Sequence, residues 1–241
     1  MTSLTPQQRQ ALDRYAELQA RYRQLFHRRE LRRIVTDRTA LERYAAQHGA
    51  VVGVAAETPW FFFLNDVVEP ASGGAPYAYS RLINRGQLEG GVNVAVLALI
   101  ADPALSNFGE IVLVEQERHA PGRMETAIPR GFGHPGLDGP ANALRELREE
   151  TGYVGSKAEL LGEALIDSGV GDAQVSFYRV DVRERVAPAP EREESIRAVK
   201  TMPPAALWSA ILSGDIIDSF TVQALALAGY PAPRDPGAAK R

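Results

Sequence analysis

The segment from Arg145 to Tyr153 decides the fold, and it reads RELREETGY. In a helix its glutamates Glu146, Glu149 and Glu150 are three and four positions apart, so their carboxylates are expected on one side. Three like charges this close repel one another, and a bound cation would offset that repulsion. Magnesium and manganese favour carboxylate oxygens as ligands, so the segment indicates a metal site. The alternative is a solvated acidic face held by salt bridges.

The flanking sequence surrounds this helix with strands. A loop with four glycines precedes it, from Gly131 to Gly139, and Gly152 is typical of its end. Apolar runs typical of buried strands lie on both sides, and two helices follow. This order predicts an α+β fold in which a mixed sheet lies between helices. The predicted strands are 92–100, 110–116, 175–182 and 198–202, and the predicted later helices are 204–212 and 219–228.

The chain has 241 residues, more than the roughly 150 of a typical single domain. A Gly- and Pro-rich stretch at 70–76 suggests a boundary. We therefore expect an N-terminal extension of helices and strands over 1–75, a main domain over 76–230 and a disordered tail over 231–241. The extension begins with a helix, because Thr5 can cap it and Pro6 suits its first turn.

Composition excludes several classes of function. There is no cysteine, which rules out disulfides and thiolate catalysis and fits a reducing cytoplasm. The net charge of −3 gives no global indication of nucleic acid or a membrane surface as partner, and no apolar run reaches the ~20 residues of a spanning helix. Arginines are frequent over 9–33, and a solvated helix face explains them better than nucleic-acid binding does.

The spacing of the acidic helix and the loop resembles the Nudix signature, in which glycine, five residues, glutamate and seven residues precede an Arg-Glu-aliphatic-x-Glu-Glu-x-Gly-hydrophobic block. Gly131 and residues 145–153 fall in register. Leu137 departs from the pattern, since it stands where the signature has a glutamate, and the neighbouring Asp138 is a possible substitute. Residues 115–120, 128–133 and 212–218 also look like ADP-ribose and nucleoside-diphosphate-sugar pyrophosphatases, so the resemblance covers about 90–229.

The resemblance implies an α/β/α sandwich and a set of site residues. The metal site, for Mg²⁺ or Mn²⁺, would be formed by Glu146, Glu149 and Glu150 with the Arg130 carbonyl as an additional ligand. Arg145 would orient the glutamates, and the general base would be either Glu193 or Glu194. The substrate's phosphates would meet the residues Arg118, Arg130 and Gly131. For Arg118, a guanidinium that can bind phosphate through two bonds, an ordinary surface position is the alternative.

These features together predict a Nudix hydrolase. It would cleave the diphosphate linkage of a small-molecule nucleoside diphosphate derivative, with ADP-ribose or a nucleotide sugar as the expected substrate. The resemblance also implies a homodimer, in which N-terminal elements exchange. Two alternatives remain open: a Nudix hydrolase acting on another diphosphate, and a sensor that binds a nucleotide without turning it over, which Leu137 favours.

Overall fold

A computed structural model describes residues 3–27, 30–190 and 194–232. It divides into two compact units, Met1–Glu89 with Leu165–Ala173, and Gly90–Ala164 with Gln174–Arg241. The first unit continues beyond residue 75, where we expected the extension to end, because a strand over Tyr77–Asn84 pairs along Phe61–Pro70. The predicted tail lies outside the described residues from position 233 onward.

The first unit combines helices with an antiparallel sheet. Thr5 caps the start of its first helix as expected, in a capping box with Gln8, and Gly49, with a φ of 63°, ends its second. Strand β3 lies at the centre of the sheet and pairs with each of the other three. The elements are α1 (Pro6–Arg21), β1 (Arg32–Ile34), α2 (Arg38–His48), β2 (Gly53–Glu57), β3 (Phe61–Pro70), β4 (Tyr77–Asn84) and the short α3 (Arg85–Leu88).

A carboxylate, that of Asp66, lies inside the core of this unit. The Asp66 carboxylate is almost fully buried and accepts hydrogen bonds from the Tyr15 hydroxyl and the Arg81 guanidinium. A buried carboxylate is costly unless it is paired. These two hydrogen bonds give the Asp66 carboxylate its partners within the same unit. Exposed arginines nearby are also paired with carboxylates, such as Arg14 with Glu57 at 2.9 Å, in line with a solvated and internally neutralised face.

The second unit is built on a seven-stranded sheet. Five strands follow the order β11-β6-β5-β10-β9, with β7 paired to β6 and β8 to β5. Strands β5 and β10 are parallel, whereas β6, β7, β8 and β11 pair antiparallel with their neighbours, so the sheet is mixed. The strands are β5 (Val94–Ile100), β6 (Ile111–Arg118), β7 (Arg123–Ala127), β8 (Arg130–Gly131), β9 (Tyr153–Leu165), β10 (Gln174–Arg185) and β11 (Ile196–Met202).

Helices cover both faces of this sheet: α4 (Gly139–Thr151) on one, and α5 (Pro204–Ser213) with α6 (Ser219–Leu227) on the other. Alternate residues of β5 point in opposite directions. Val94 and Val96 therefore pack with Leu147 of α4, while Ala95 packs with Leu207 of α5. This confirms the expected α+β architecture, a mixed sheet between helices. Among the described residues, no helix is long and apolar enough to cross a membrane.

Candidate metal-dependent active site

Helix α4 is fixed at both ends by its sequence. Asp138 caps its start by accepting a 2.8 Å hydrogen bond from the Ala141 backbone N–H. Gly152 ends it with a φ of 73°, a left-handed conformation that favours glycine. Ala143 and Leu147 lie on its apolar side, against the sheet. Asp138 is exposed, its carboxylate is used in this cap, and it is not one of the three clustered carboxylates found among the described residues.

Two glutamates of α4 and one from a later loop come together. One carboxylate oxygen from each of Glu146, Glu150 and Glu194 lies within 4.8 Å of the others. Glu146 and Glu150 are buried, with 4% and 2% of their surface exposed. Within the described parts of the chain, the buried Oε2 of Glu150 has no hydrogen-bond partner. A buried carboxylate oxygen without a hydrogen-bond partner is costly, so we expect a bound ion or water molecule to contact it.

The electrostatics of Glu150 agree with that expectation. Burial, followed by the negative charges of Glu194 and Glu146, raises the pKa of Glu150 well above its ordinary value. Arg118 and a hydrogen bond from the Arg130 backbone N–H oppose this rise without cancelling it. The group of carboxylates therefore carries unfavourable negative charge, and a bound cation would relieve it.

Glu149 lies outside this close group of three. Its carboxylate is paired with the Arg145 guanidinium at 2.5 Å, and about a third of its side chain is exposed. The same guanidinium also pairs with Glu146. Arg145 therefore contacts the two glutamates that we expected it to orient, and it links the exposed carboxylate to a buried one.

Glu194 reaches the group from the segment that precedes β11. The Gln116 side chain donates a hydrogen bond to its backbone carbonyl. Ser195, the next residue, has a φ of 52°, a strained conformation for a residue other than glycine, and such strain is common at functional sites. Glu193, the other candidate for the base, lies outside the described residues.

The glycine loop packs directly on the carboxylates. A β-carbon added to Gly131 would overlap the carboxylate of Glu146. Gly133 is equally constrained, because an added β-carbon would collide with the backbone of Gly91 and Val92, and its N–H donates to the Asn93 side chain at 2.9 Å. The glycines therefore permit close packing of backbone against side chain and backbone against backbone.

A cavity of about 380 Å³ in this unit is lined by Arg118, Arg130, Asp218 and Phe220, among others. Arg130 lies over the Phe220 ring at 4.2 Å and pairs with Asp218 at 3.3 Å. Burial, with the neighbouring Arg130 charge, lowers the pKa of Arg118. The buried Nε of Arg118 has no hydrogen-bond partner among the described residues. Arg118 is thus a partly buried guanidinium beside this cavity, unlike an ordinary surface arginine.

The residues fit a hard divalent cation. All the gathered donors are carboxylate oxygens, which suit magnesium or manganese, and two of them are buried. The Glu150 oxygen, which has no partner among the described residues, and the raised pKa of this carboxyl group indicate that the three carboxylates are incomplete without positive charge. Sequence reasoning found Glu146 and Glu150 but overlooked Asn142 and Gln116, two buried amides that hold the site and carry no motif of their own.

The fold and the site define a class of protein: an α/β/α sandwich whose central acidic helix gathers carboxylates beside a glycine loop. The NUDIX domain model matches residues 92–220, and the chain belongs to this family. It is 30% identical over 125 residues to an ADP-ribose pyrophosphatase of Mycobacterium tuberculosis, covering 51% of this chain and 60% of that protein. It is 36% identical over 72 residues to an ADP-sugar pyrophosphatase of Mus musculus, covering 30% and 33%.

A crystal structure of an ADP compounds hydrolase superimposes with a TM-score of 0.59 and covers 72% of this chain and 86% of that one. At 18% identity this likeness is one of fold. The chain matches 60% or less of the length of the two sequence relatives.

Proposed function

We propose that the protein hydrolyses the diphosphate linkage of a nucleoside diphosphate derivative, ADP-ribose or a nucleotide sugar, in a metal-dependent reaction. The observation that carries this proposal is the group formed by Glu146, Glu150 and Glu194, whose oxygens lie within 4.8 Å of one another. The similarity to an ADP-ribose and an ADP-sugar pyrophosphatase supports the substrate class.

In this proposal Glu146 and Glu150 hold the cation, which we propose to be Mg²⁺ or Mn²⁺, with Glu149 and the Arg130 carbonyl as further ligands. When bound, a divalent cation neutralises charge on phosphate oxygens and makes water easier to deprotonate. Arg145 keeps Glu146 and Glu149 in place through its two ion pairs. Gly131 leaves the space that the Glu146 carboxylate occupies.

We propose Glu194 as the general base, with Glu193 as the alternative outside the described residues. The Glu194 carboxylate lies beside Glu150, so a water molecule among the carboxylates would be within reach of it. Two hydrogen bonds hold this segment in place, one from the Gln116 side chain to the Glu194 carbonyl and one of 3.2 Å from the Glu117 N–H to the Ser195 carbonyl. A base on a fixed segment removes a proton without first having to be ordered.

The arginine-lined cavity would hold the substrate. A guanidinium binds phosphate oxygens through parallel hydrogen bonds, and Arg118 lines this cavity. Arg130 and the Phe220 ring form a flat surface on one side of the cavity, suitable for the sugar or base attached to the diphosphate. The Arg130 side chain can thus contact substrate while its main chain faces Glu150.

The test is a panel of nucleoside diphosphate derivatives incubated with the full chain and Mg²⁺, with products resolved by chromatography. We expect ADP-ribose to yield AMP and ribose 5-phosphate, and Glu146→Gln and Glu150→Gln to abolish the reaction. Arg148→Lys, an exposed change on the same helix, is the matched control. If wild type and Glu149→Gln are equally inactive on every compound while nucleotide still binds, the protein is a sensor.

Two further proposals concern the state of the protein. We propose a homodimer that forms through the N-terminal unit, where the large side chains of Trp60 and Phe63 are 58% and 45% exposed. Light scattering of wild type and a Trp60→Ser, Phe63→Ser variant would test it.

The absence of cysteine supports a cytoplasmic location, which cell fractionation would test.

A further inference from the structure

Asn142 occupies the centre of a hydrogen-bond network beneath the carboxylates. It lies on α4 and is fully buried. Its amide nitrogen donates to the backbone carbonyls of Val92 and Phe132, both at 3.0 Å. Its amide oxygen accepts from Nε and Nη2 of Arg145, at 3.3 Å and 3.0 Å. The side chain thus uses both its donors and both lone pairs of its oxygen.

These four bonds join parts of the site that are separate in sequence. The Phe132 carbonyl belongs to the glycine loop and follows Gly131, on which the Glu146 carboxylate packs. Arg145 continues the network to Glu146 and Glu149. A displacement of the loop or of the guanidinium would therefore be transmitted through Asn142 to the carboxylates.

The side-chain chemistry required here is specific to a carboxamide. Aspartate could accept from Arg145 but would face the carbonyls of Val92 and Phe132 without a donor. An aliphatic residue would leave both carbonyls and the guanidinium without these partners. The side chain of Leu137, in the glycine loop at the signature's glutamate position, can neither donate nor accept a hydrogen bond. The loop therefore has no carboxylate at this position for the network.

We propose that Asn142 is a positioning residue that fixes the glycine loop and Arg145 as one body and thereby sets the affinity of the carboxylates for the cation. The inference rests on the proposed metal-dependent function and deepens it. Residues that orient metal ligands from behind are expected to change metal affinity by about 10- to 100-fold when they are replaced. The effect should appear in cation binding as well as in turnover.

The experiment compares the full-length wild type with Asn142→Asp and Asn142→Ala. Mn²⁺ binding is measured without substrate by electron paramagnetic resonance, and hydrogen exchange of residues 130–138 is measured without metal. Asn107→Ala is the control, because that asparagine lies in the same unit and its amide bonds go to Tyr153 and Thr201. The second Asn142 variant keeps the test valid if the first does not fold.

We expect both Asn142 variants to bind Mn²⁺ about 10- to 100-fold more weakly and to exchange faster in the loop, whereas Asn107→Ala matches wild type in both. The inference is overturned if a folded Asn142 variant retains wild-type Mn²⁺ affinity or loop exchange while Glu150→Gln loses Mn²⁺. If wild type shows no Mn²⁺ binding that depends on Glu150, the proposed function fails, and with it the role of Asn142 in metal affinity.

Discussion

Gly131 and Glu146 meet at a point where there is no room for a β-carbon, because the Glu146 carboxylate lies directly against the glycine. The glycine of the motif and the first glutamate of the acidic helix are fifteen residues apart in sequence. Their contact explains why this position is a glycine: the loop packs on the helix face with no side chain between them.

Gly131→Ala is therefore expected to displace the Glu146 carboxylate. A shift of about 1 Å in a reacting group can lower a rate about 100-fold, and we expect a loss of that order in kcat/KM. Gly136→Ala is not a suitable control because its φ is 90°, so Arg148→Ala, an exposed change on α4, serves instead. Unchanged activity in a folded Gly131→Ala protein would mean that the position of the Glu146 carboxylate does not determine kcat/KM.

Arg118→Ala is expected to impair substrate binding more than it destabilises the fold. Arg118 lines the cavity, and hydrogen bonds to charged groups contribute about 1.5–3 kcal/mol. We expect kcat/KM for ADP-ribose to fall about 10- to 100-fold. Arg183→Ala, an exposed change on β10, should behave as wild type. Equal kinetics for both variants would mean that Arg118 does not bind the substrate.

The sequence predicted the architecture where periodicity was strong. The acidic helix, the buried strand β5 and the terminal helices were all anticipated, with bounds that differ by a few residues. Strand β9 (Tyr153–Leu165) was missed because most of its residues are half-buried or exposed, so no alternation of apolar and polar residues marks it. Strand β4 was missed for the same reason, since only its last two residues are buried.

The site was predicted less completely, and the geometry of a helix explains part of this. At about 100° per residue, Glu150 lies ~40° from Glu146, whereas Glu149 lies ~60° away on the other side. The prediction that all three glutamates share one face did not distinguish these two directions. In the structure Glu149 pairs with Arg145. Glu194 joins the group through a contact distant in sequence, which no local pattern can reveal.

Glu115 gives the fold a defined dependence on acid. Hydrogen bonds and charge from Lys200 and Arg197 of β11 lower the pKa of Glu115 on β6. A carboxyl group whose pKa is lowered by folding stabilises the fold above its unfolded pKa, and this contribution is lost as the pH falls through the folded value. Glu115→Gln should lower Tm near neutral pH.

The difference in Tm between wild type and Glu115→Gln should shrink as the pH falls from neutral through the folded pKa of Glu115, since the carboxyl group then becomes neutral in the folded as well as the unfolded protein. Glu184→Gln, an exposed change on β10, is the control and should follow wild type throughout. A difference that stays constant across this range would show that ionisation of Glu115 does not contribute to stability.

Glu150→Gln is expected to stabilise the metal-free protein while it removes activity. The carboxyl group is buried beside Glu146 and Glu194, and its Oε2 has no partner among the described residues. A neutral amide of the same shape can still accept the Arg130 N–H bond and places donors near the two remaining carboxylates. Replacing an uncompensated buried charge in this way should stabilise by about 1 kcal/mol or more.

In calorimetry with a chelator present at neutral pH, Glu150→Gln should therefore melt roughly 2–4 °C above wild type, which corresponds to about 1 kcal/mol for a protein of this size. Adding Mg²⁺ should reverse the order, because only wild type gains binding energy from the cation. Arg148→Lys should have the same Tm as wild type both with the chelator and with Mg²⁺. A Glu150→Gln protein that is less stable without metal would mean that the Glu150 charge is already compensated within the chain, and the case for a cation at this position would be lost.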